Sequence, residues 1–260
     1  MPSYEKAPRP AGATDALAAK KGPEETRRDA MPPTPPGPSD PLVISYLGLR
    51  KAVGIIGLAL PFVLVFGKIL LDGPGLQASM SAYYYTGMRD VFVGSMCAIA
   101  IFMISYHGYE RKDDIAGDLA CLFALGLALF PAAPETGATP RQEIIGALHH
   151  VFAAGFFLTL AYFSLALFRK TAARPTRRKL QRNVVYTYCG YIILACIALV
   201  MLSAFLPVDS ALRRLNPVFW LEAIAVVAFG VSWFTKGEAI LKDEIAPGAP
   251  GAASMAHVKQ

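Results

Sequence analysis

From about residue 42 onward the chain is a succession of apolar runs separated by short polar stretches. Each run is about as long as a helix needs to cross the hydrocarbon of a bilayer. They lie near 53–71, 88–106, 117–133, 144–168, 184–206 and 218–235. The pattern predicts an all-α fold, an integral membrane bundle of six helices filling 42–236. Pro131 and Pro134 cut the third run short. Pro61 falls inside the first and predicts a kink, tolerable where neighbouring helices or water satisfy the freed carbonyl. Ala120, Ala124 and Ala128 recur at intervals of four, the small-xxx-small spacing of close helix contacts.

Before residue 42 the pattern stops. Residues 1–41 hold ten of the 20 prolines with six basic and six acidic side chains, and lead up to MPPTPPGPSD. Such a segment buries too little to offset chain entropy, so it reads as a disordered cytoplasmic tail with polyproline-like stretches. Pro32 to Pro38 is either a spacer or a PxxP ligand. Residues 237–260 read as a second, short cytoplasmic tail. The N-terminus is polar, so no cleavable signal is expected and targeting falls to the first span.

Composition sharpens this picture. The chain is 54% hydrophobic and 17% charged, with a mean hydropathy of +0.42, whereas a soluble domain carries about a quarter charged residues. A single water-soluble globule is excluded. The net charge of +6 is concentrated in Arg169–Arg182, which holds seven basic residues and no acid. That reads as a cytoplasmic loop, with an anionic-lipid patch as the alternative and no nucleic-acid partner expected. With the N-terminus inside, 13 Lys and Arg fall on the cytoplasmic side: Arg50, Lys51, Arg111, Lys112, the seven of the loop, Lys236 and Lys242. Only Arg89, Arg141, Arg213 and Arg214 fall outside. The bias predicts a multi-pass protein of the cell inner membrane with both termini cytoplasmic. The four cysteines lie in apolar runs without a CxxC pair and read as buried thiols; Cys189, Cys196 and Ser203 form a packing stripe.

The same orientation gathers polar residues beneath the outer surface: SMSAYYYTGMRD at 79–90, Glu135, Arg141, Glu143, His149, His150, Asp209, Arg213, Arg214 and Glu222. Ionisable groups at membrane depth are costly and mark sites by default. Asp90, Gly94, Cys97, Ile101 and Ser105 share a stripe, which predicts Asp90 at the head of an interior face, with Arg89 or Lys68 as its partner. Lys68 otherwise reads as a snorkelling lysine. Glu143, Ala147, His150, Ala154 and Ala161 share another stripe, which places His150 inside. His149 aligns instead with Ile145, Phe152 and Phe156 and is held in reserve. Glu222 has no base within a helical turn, so its partner must come from another helix: His150, Arg89 or Arg141. Tyr83 to Tyr85, with Tyr84 at the centre, are boundary anchors or a stacking surface for a headgroup.

The expected binding set is therefore Asp90, His150, Glu222, Arg89, Tyr84, Glu143 and His149. With four histidines, His107 and His257 assigned to the other side, and no HxxH, HxxxH or HExxH, neither a metal nor another cofactor is expected. Ser79 or Ser81 with His150 and Asp90 lacks a GxSxG or SxxK frame, so no catalytic residue is assigned.

The run SMSAYYYTGMRDVFVG at 79–94, with ALFP at 128–131 and LHH at 148–150, resembles a group of bacterial multi-pass inner-membrane proteins without an assigned activity. These are similar to the DRAM-like and FGF-receptor-activating-protein-like six-helix proteins. The resemblance covers about 45–235 and implies a six-helix bundle, with no catalytic role to transfer. Ceramidase-like and adiponectin-receptor-like hydrolases carry paired histidines in the last helix; VFWLEAIAVVAFGVSWF has none. Three functions follow as expectations: a component that interacts with membrane lipids, a protein partner or a second copy through a polar outer-leaflet pocket; a small proton-coupled carrier; or a hydrolase acting on a lipid headgroup.

Overall fold

The computed structural model describes residues 41–106, 110–171, 175–205, 207 and 210–241. Contacts divide the chain into Met1–Ile44 and Ser45–Gln260. Of the first unit only residues 41–44, the opening turn of a helix, are described. The expected disordered tail, and the positions of His107, Asp209, Lys242 and His257, lie outside the described residues.

Among the described residues the fold is all-helical, without a strand. The α-helices are α1 (Pro41–Asp72), α2 (Arg89–Ile104), α3 (Arg111–Leu129), α4 (Pro140–Tyr162), α5 (Arg177–Ser203) and α6 (Pro217–Lys236). A π-helical stretch, Phe163–Leu167, prolongs α4, and 3-10 turns occupy Ser81–Tyr85 and Arg213–Leu215. Four of the six expected spans are long and apolar enough to cross a membrane: α1, α4 with its extension, α5 and α6. α2 has 16 residues, only about 24 Å of rise. α3 begins inside the charged run ERKDD, because Glu110 and Asp113 form a reciprocal capping box, and it ends before Pro131. α1 starts twelve residues before the expected 53 and runs through Pro61 without interruption.

Packing follows small residues. α6 is the most enclosed span, with 56% of its apolar window buried, and α1 crosses it at glycines. A Cβ on Gly230 would stand 2.6 Å from the Leu58 nitrogen and 2.9 Å from the Gly54 carbonyl oxygen, so the two backbones meet without side chains between them. Ala120, Ala124 and Ala128 are buried, as their spacing predicts, and so are Cys189 and Cys196. The outer surface carries large apolar side chains such as Phe62, Leu70, Tyr188 and Phe205. On long helices that surface calls for lipid rather than water.

The faces of α2 and α4 correct two expectations. On α2 the stripe headed by Asp90 points outward, and Phe92, Met96, Ala100 and Met103 fill the interior. On α4, Glu143, Ala147, His150 and Ala154 are exposed and only Ala161 of that stripe is buried, while His149 and Phe156 are buried and Phe152 half-buried. On these two helices Phe, Met and His side chains take interior positions that the small-residue stripes were expected to hold.

Candidate functional site

The residues that close one end of the bundle come from the segment 76–81, the opening of α4 and the opening of α6. Asn216 adopts a left-handed conformation, φ 50°, and Pro217 supplies the first helical residue of α6. That turn lays the start of α6 against the incoming segment. The Phe219 amide donates to the Ala78 carbonyl at 3.0 Å, and Asn216 Nδ2 to the Leu76 carbonyl at 3.4 Å. One turn further on, the Glu222 carboxylate accepts the amide of Met80, with Met80 N at 2.7 Å from Oε2. The partner of Glu222 is thus a backbone donor, not His150, Arg89 or Arg141.

α4 grips the same segment from the other side. Thr139 caps the helix through a reciprocal box with Gln142, and Pro140 occupies its first position. Nearly three turns in, His149 is 3% exposed. Its Nδ1 lies 2.7 Å from the Phe130 carbonyl oxygen and its Nε2 lies 2.8 Å from Ser81 Oγ. A carbonyl only accepts, so Nδ1 carries the hydrogen. In the neutral ring Nε2 then accepts from the Ser81 hydroxyl. The segment is therefore held at two adjacent residues, Met80 through its amide by Glu222 and Ser81 through its hydroxyl by His149.

The other expected residues separate. His150 is exposed and turns its Nδ1 back to the Gly146 carbonyl at 2.6 Å, so the interior histidine is His149 rather than His150. Asp90 is exposed in the first turn of α2, where a carboxylate favours the helix dipole, and does not line the cleft of His149 and Glu222. Arg89 pairs with Tyr84, Nη2 to the hydroxyl at 2.6 Å with the guanidinium 4.3 Å from the ring, and not with Asp90. Glu143 is exposed. Lys68 does not snorkel: it is buried and caps the carbonyls of Gly73 and Pro74 at 2.9 and 3.1 Å. The tyrosines divide. Tyr83 is fully buried against Phe219, whereas Tyr85 is exposed with its hydroxyl on the Ala132 carbonyl. Burial pushes the Tyr83 hydroxyl above its ordinary pKa. Asp72, which accepts the Gly87 amide at 2.8 Å, escaped the sequence reading because nothing in its spacing ties it to a turn fifteen residues away.

Between these elements lies a cleft of about 630 Å³, within the usual range for small-molecule sites. Ser81, His149 and Glu222 contribute its enclosed polar groups. His150 and Arg213 are exposed on it, and Val200, Met201, Ala204 and Phe205 from the end of α5 give an apolar wall. No group of three or more His, Cys, Asp or Glu suited to a metal occurs among the described residues. In comparisons with protein-family models, curated proteins and solved structures, nothing matches this chain.

Proposed function

We propose that this is a multi-pass inner-membrane protein whose outer-facing cleft binds the polar headgroup of a membrane lipid. α2 and α3 complete a six-helix membrane domain, and the basic loops lie in the cytoplasm. The observation that carries the reading is the mixed lining of one cleft: an apolar wall from α5, an exposed cation at Arg213, and an enclosed acceptor at Glu222. A zwitterionic headgroup offers the matching parts, a phosphate for Arg213, an ammonium for Glu222 and acyl chains for the wall.

The carrier reading ranks lower, because a polar path inward from Glu222 is lacking among the described residues. The adjoining cavity, about 30 Å³, is lined mainly by Leu60, Phe92, Met96, Phe156 and Val226. The hydrolase reading draws on one observation, the chain of hydrogen bonds from Ser81 Oγ through His149 to the Phe130 carbonyl, which is the order nucleophile, base and orienting group. Against it, the Met80 amide beside Ser81, a candidate donor for an oxyanion, already serves Glu222.

Native mass spectrometry of the purified protein tests the reading. The wild type retains a phosphatidylethanolamine-class lipid, and Ala204→Trp, which fills the apolar wall without touching Glu222, loses it. Equal lipid occupancy in both proteins rejects the cleft as the binding site. Covalent labelling of Ser81 by a fluorophosphonate would favour the hydrolase instead.

A further inference from the structure

The end of the bundle opposite the cleft carries two cations, Arg50 and Lys236, without an ion pair among the described residues. Lys236, the last residue of α6, sets its ammonium 5.2 Å from the Phe168 ring. Around it, within Coulombic range, stand Arg50 of α1, Lys179 and Arg182 of α5, and one acid, Asp113 of α3. Arg50 stacks its guanidinium 4.1 Å from the Tyr46 ring and 5.5 Å from the Tyr106 ring, and its enclosed Nε has no acceptor. Lys179 donates to the Phe168 carbonyl at 2.7 Å and Arg182 to the Leu241 carbonyl at 2.9 Å. Neither Arg50 nor Lys236 has a hydrogen bond or ion pair among the described residues.

Of the acids nearby, Glu238 stands 4.0 Å from Arg182, and Asp113 and Glu110 are engaged by Lys170 at 2.9 and 3.4 Å. Partly buried cations without counter-charges oppose folding. The aromatic faces of Tyr46, Tyr106 and Phe168 offset only part of that cost.

We infer that this end binds a phosphate group, with Arg50 and Lys236 as its direct ligands and Lys179 and Arg182 supplying positive potential. A guanidinium fork beside an ammonium suits tetrahedral oxyanions, and basic pockets between membrane helices suit phospholipid headgroups. The phosphate belongs either to an anionic lipid or to a soluble phosphate compound, and the site is distinct from the cleft at the other end.

Thermal unfolding of the full-length protein decides it, with inorganic phosphate titrated against chloride at equal ionic strength, and in nanodiscs of phosphatidylglycerol against phosphatidylcholine. Phosphate or phosphatidylglycerol raises the melting temperature; a response to the lipid alone identifies a headgroup, and a response to phosphate in both nanodiscs identifies a soluble ligand. Arg50→Gln and Lys236→Gln each weaken the midpoint at least about tenfold, the size of one lost charged hydrogen bond. The exposed pair Arg111→Gln and Lys112→Gln leaves it within about twofold. Lys236→Gln still folds, because it removes a charge without a partner. An equal effect of the Arg111 and Lys112 variants overturns the proposal in favour of a diffuse positive field. The absence of any anion response also overturns it. So does a response that emerges only in Asp243→Asn/Glu244→Gln, since the counter-charge then comes from the chain itself.

Discussion

Replacing Glu222 by alanine tests whether one carboxylate holds the segment that closes the cleft. The change strands the Met80 amide. An unpaired buried donor costs about 1–3 kcal/mol. Water reaching the site from the 630 Å³ cleft relieves part of this, leaving about 1–2 kcal/mol. Glu222→Gln keeps an oxygen acceptor and loses only the charge assistance, about 1 kcal/mol. If the cost falls on local opening, amide exchange of residues 78–82 accelerates about 5- to 30-fold in the alanine variant, at tenfold per 1.4 kcal/mol. Peptide-resolved hydrogen–deuterium exchange in detergent measures this, with the middle of α3, where Ala120, Cys121 and Ala124 are buried, as the internal reference. Unchanged exchange at 78–82 would refute the anchoring role. Acceleration spread evenly over the reference would show global destabilisation instead.

Three further perturbations bear on the same framework. Ser81→Ala leaves His149 Nε2 an enclosed acceptor without its donor and lowers unfolding stability by about 1–3 kcal/mol; a loss under about 0.5 kcal/mol in a denaturant titration removes Ser81 as the partner. Gly230→Ala drives a methyl into the Leu58 and Gly54 backbone and costs about 1–3 kcal/mol. Gly94→Ala, where nothing lies within 4 Å, gains up to about 1 kcal/mol, and the reverse order in the same titration refutes the packing. The hydrogen bond to Asp113 raises the Lys170 pKa above its ordinary value, helped by the Asp113 and Glu110 charges. Its stabilisation is complete below the ordinary lysine range and is lost as pH rises through the raised value. The melting-temperature gap between wild type and Lys170→Met therefore persists to about pH 10 and closes above it. A gap that closes below pH 9, or stays flat to pH 12, rejects the pairing.

Apolar run length made the helices legible, and the alanine spacing in α3 made one contact legible. Which face of a helix turns inward was not legible from small residues. The Asp90 stripe of α2 is short-chained, yet the space it competed for is filled by Phe92, Met96 and Met103. Interior position depends on the width of the gap that neighbours leave, which no single helix encodes. His149 and His150 differ by about 100° on the helix. The usable signal was the alignment of His149 with Phe152 and Phe156, because aromatic side chains close such gaps. Glu222 could be recognised as needing a partner, but its donor is the amide of Met80, and a backbone amide has no letter in the sequence. The lone positive charge of Lys236 was equally hidden: it is counted with the basic flank until α1 and α5 bring Arg50, Lys179 and Arg182 beside it.

Both candidate sites hang on α6. Glu222 and Lys236 are 14 residues apart, about 21 Å along the axis and within about 40° of one face. Between them that helix buries Val226, Phe229, Ser232, Trp233 and Thr235. The two hydroxyls are bonded within the bundle, Ser232 to Ser164 at 2.9 Å and Thr235 to the Val231 carbonyl at 2.7 Å. A rod packed this way offers no chain of charged groups from one end to the other, which predicts that the two ends act independently. Glu222→Gln and Lys236→Gln combined should therefore change stability by the sum of the single effects, within about 0.5 kcal/mol. Phosphate binding at the Lys236 end should leave amide exchange at Met80 and Ser81 unchanged. A coupling above 1 kcal/mol, or protection of those amides by phosphate, would show that α6 moves as a lever between the two membrane surfaces. In that case the carrier reading would displace the binding one.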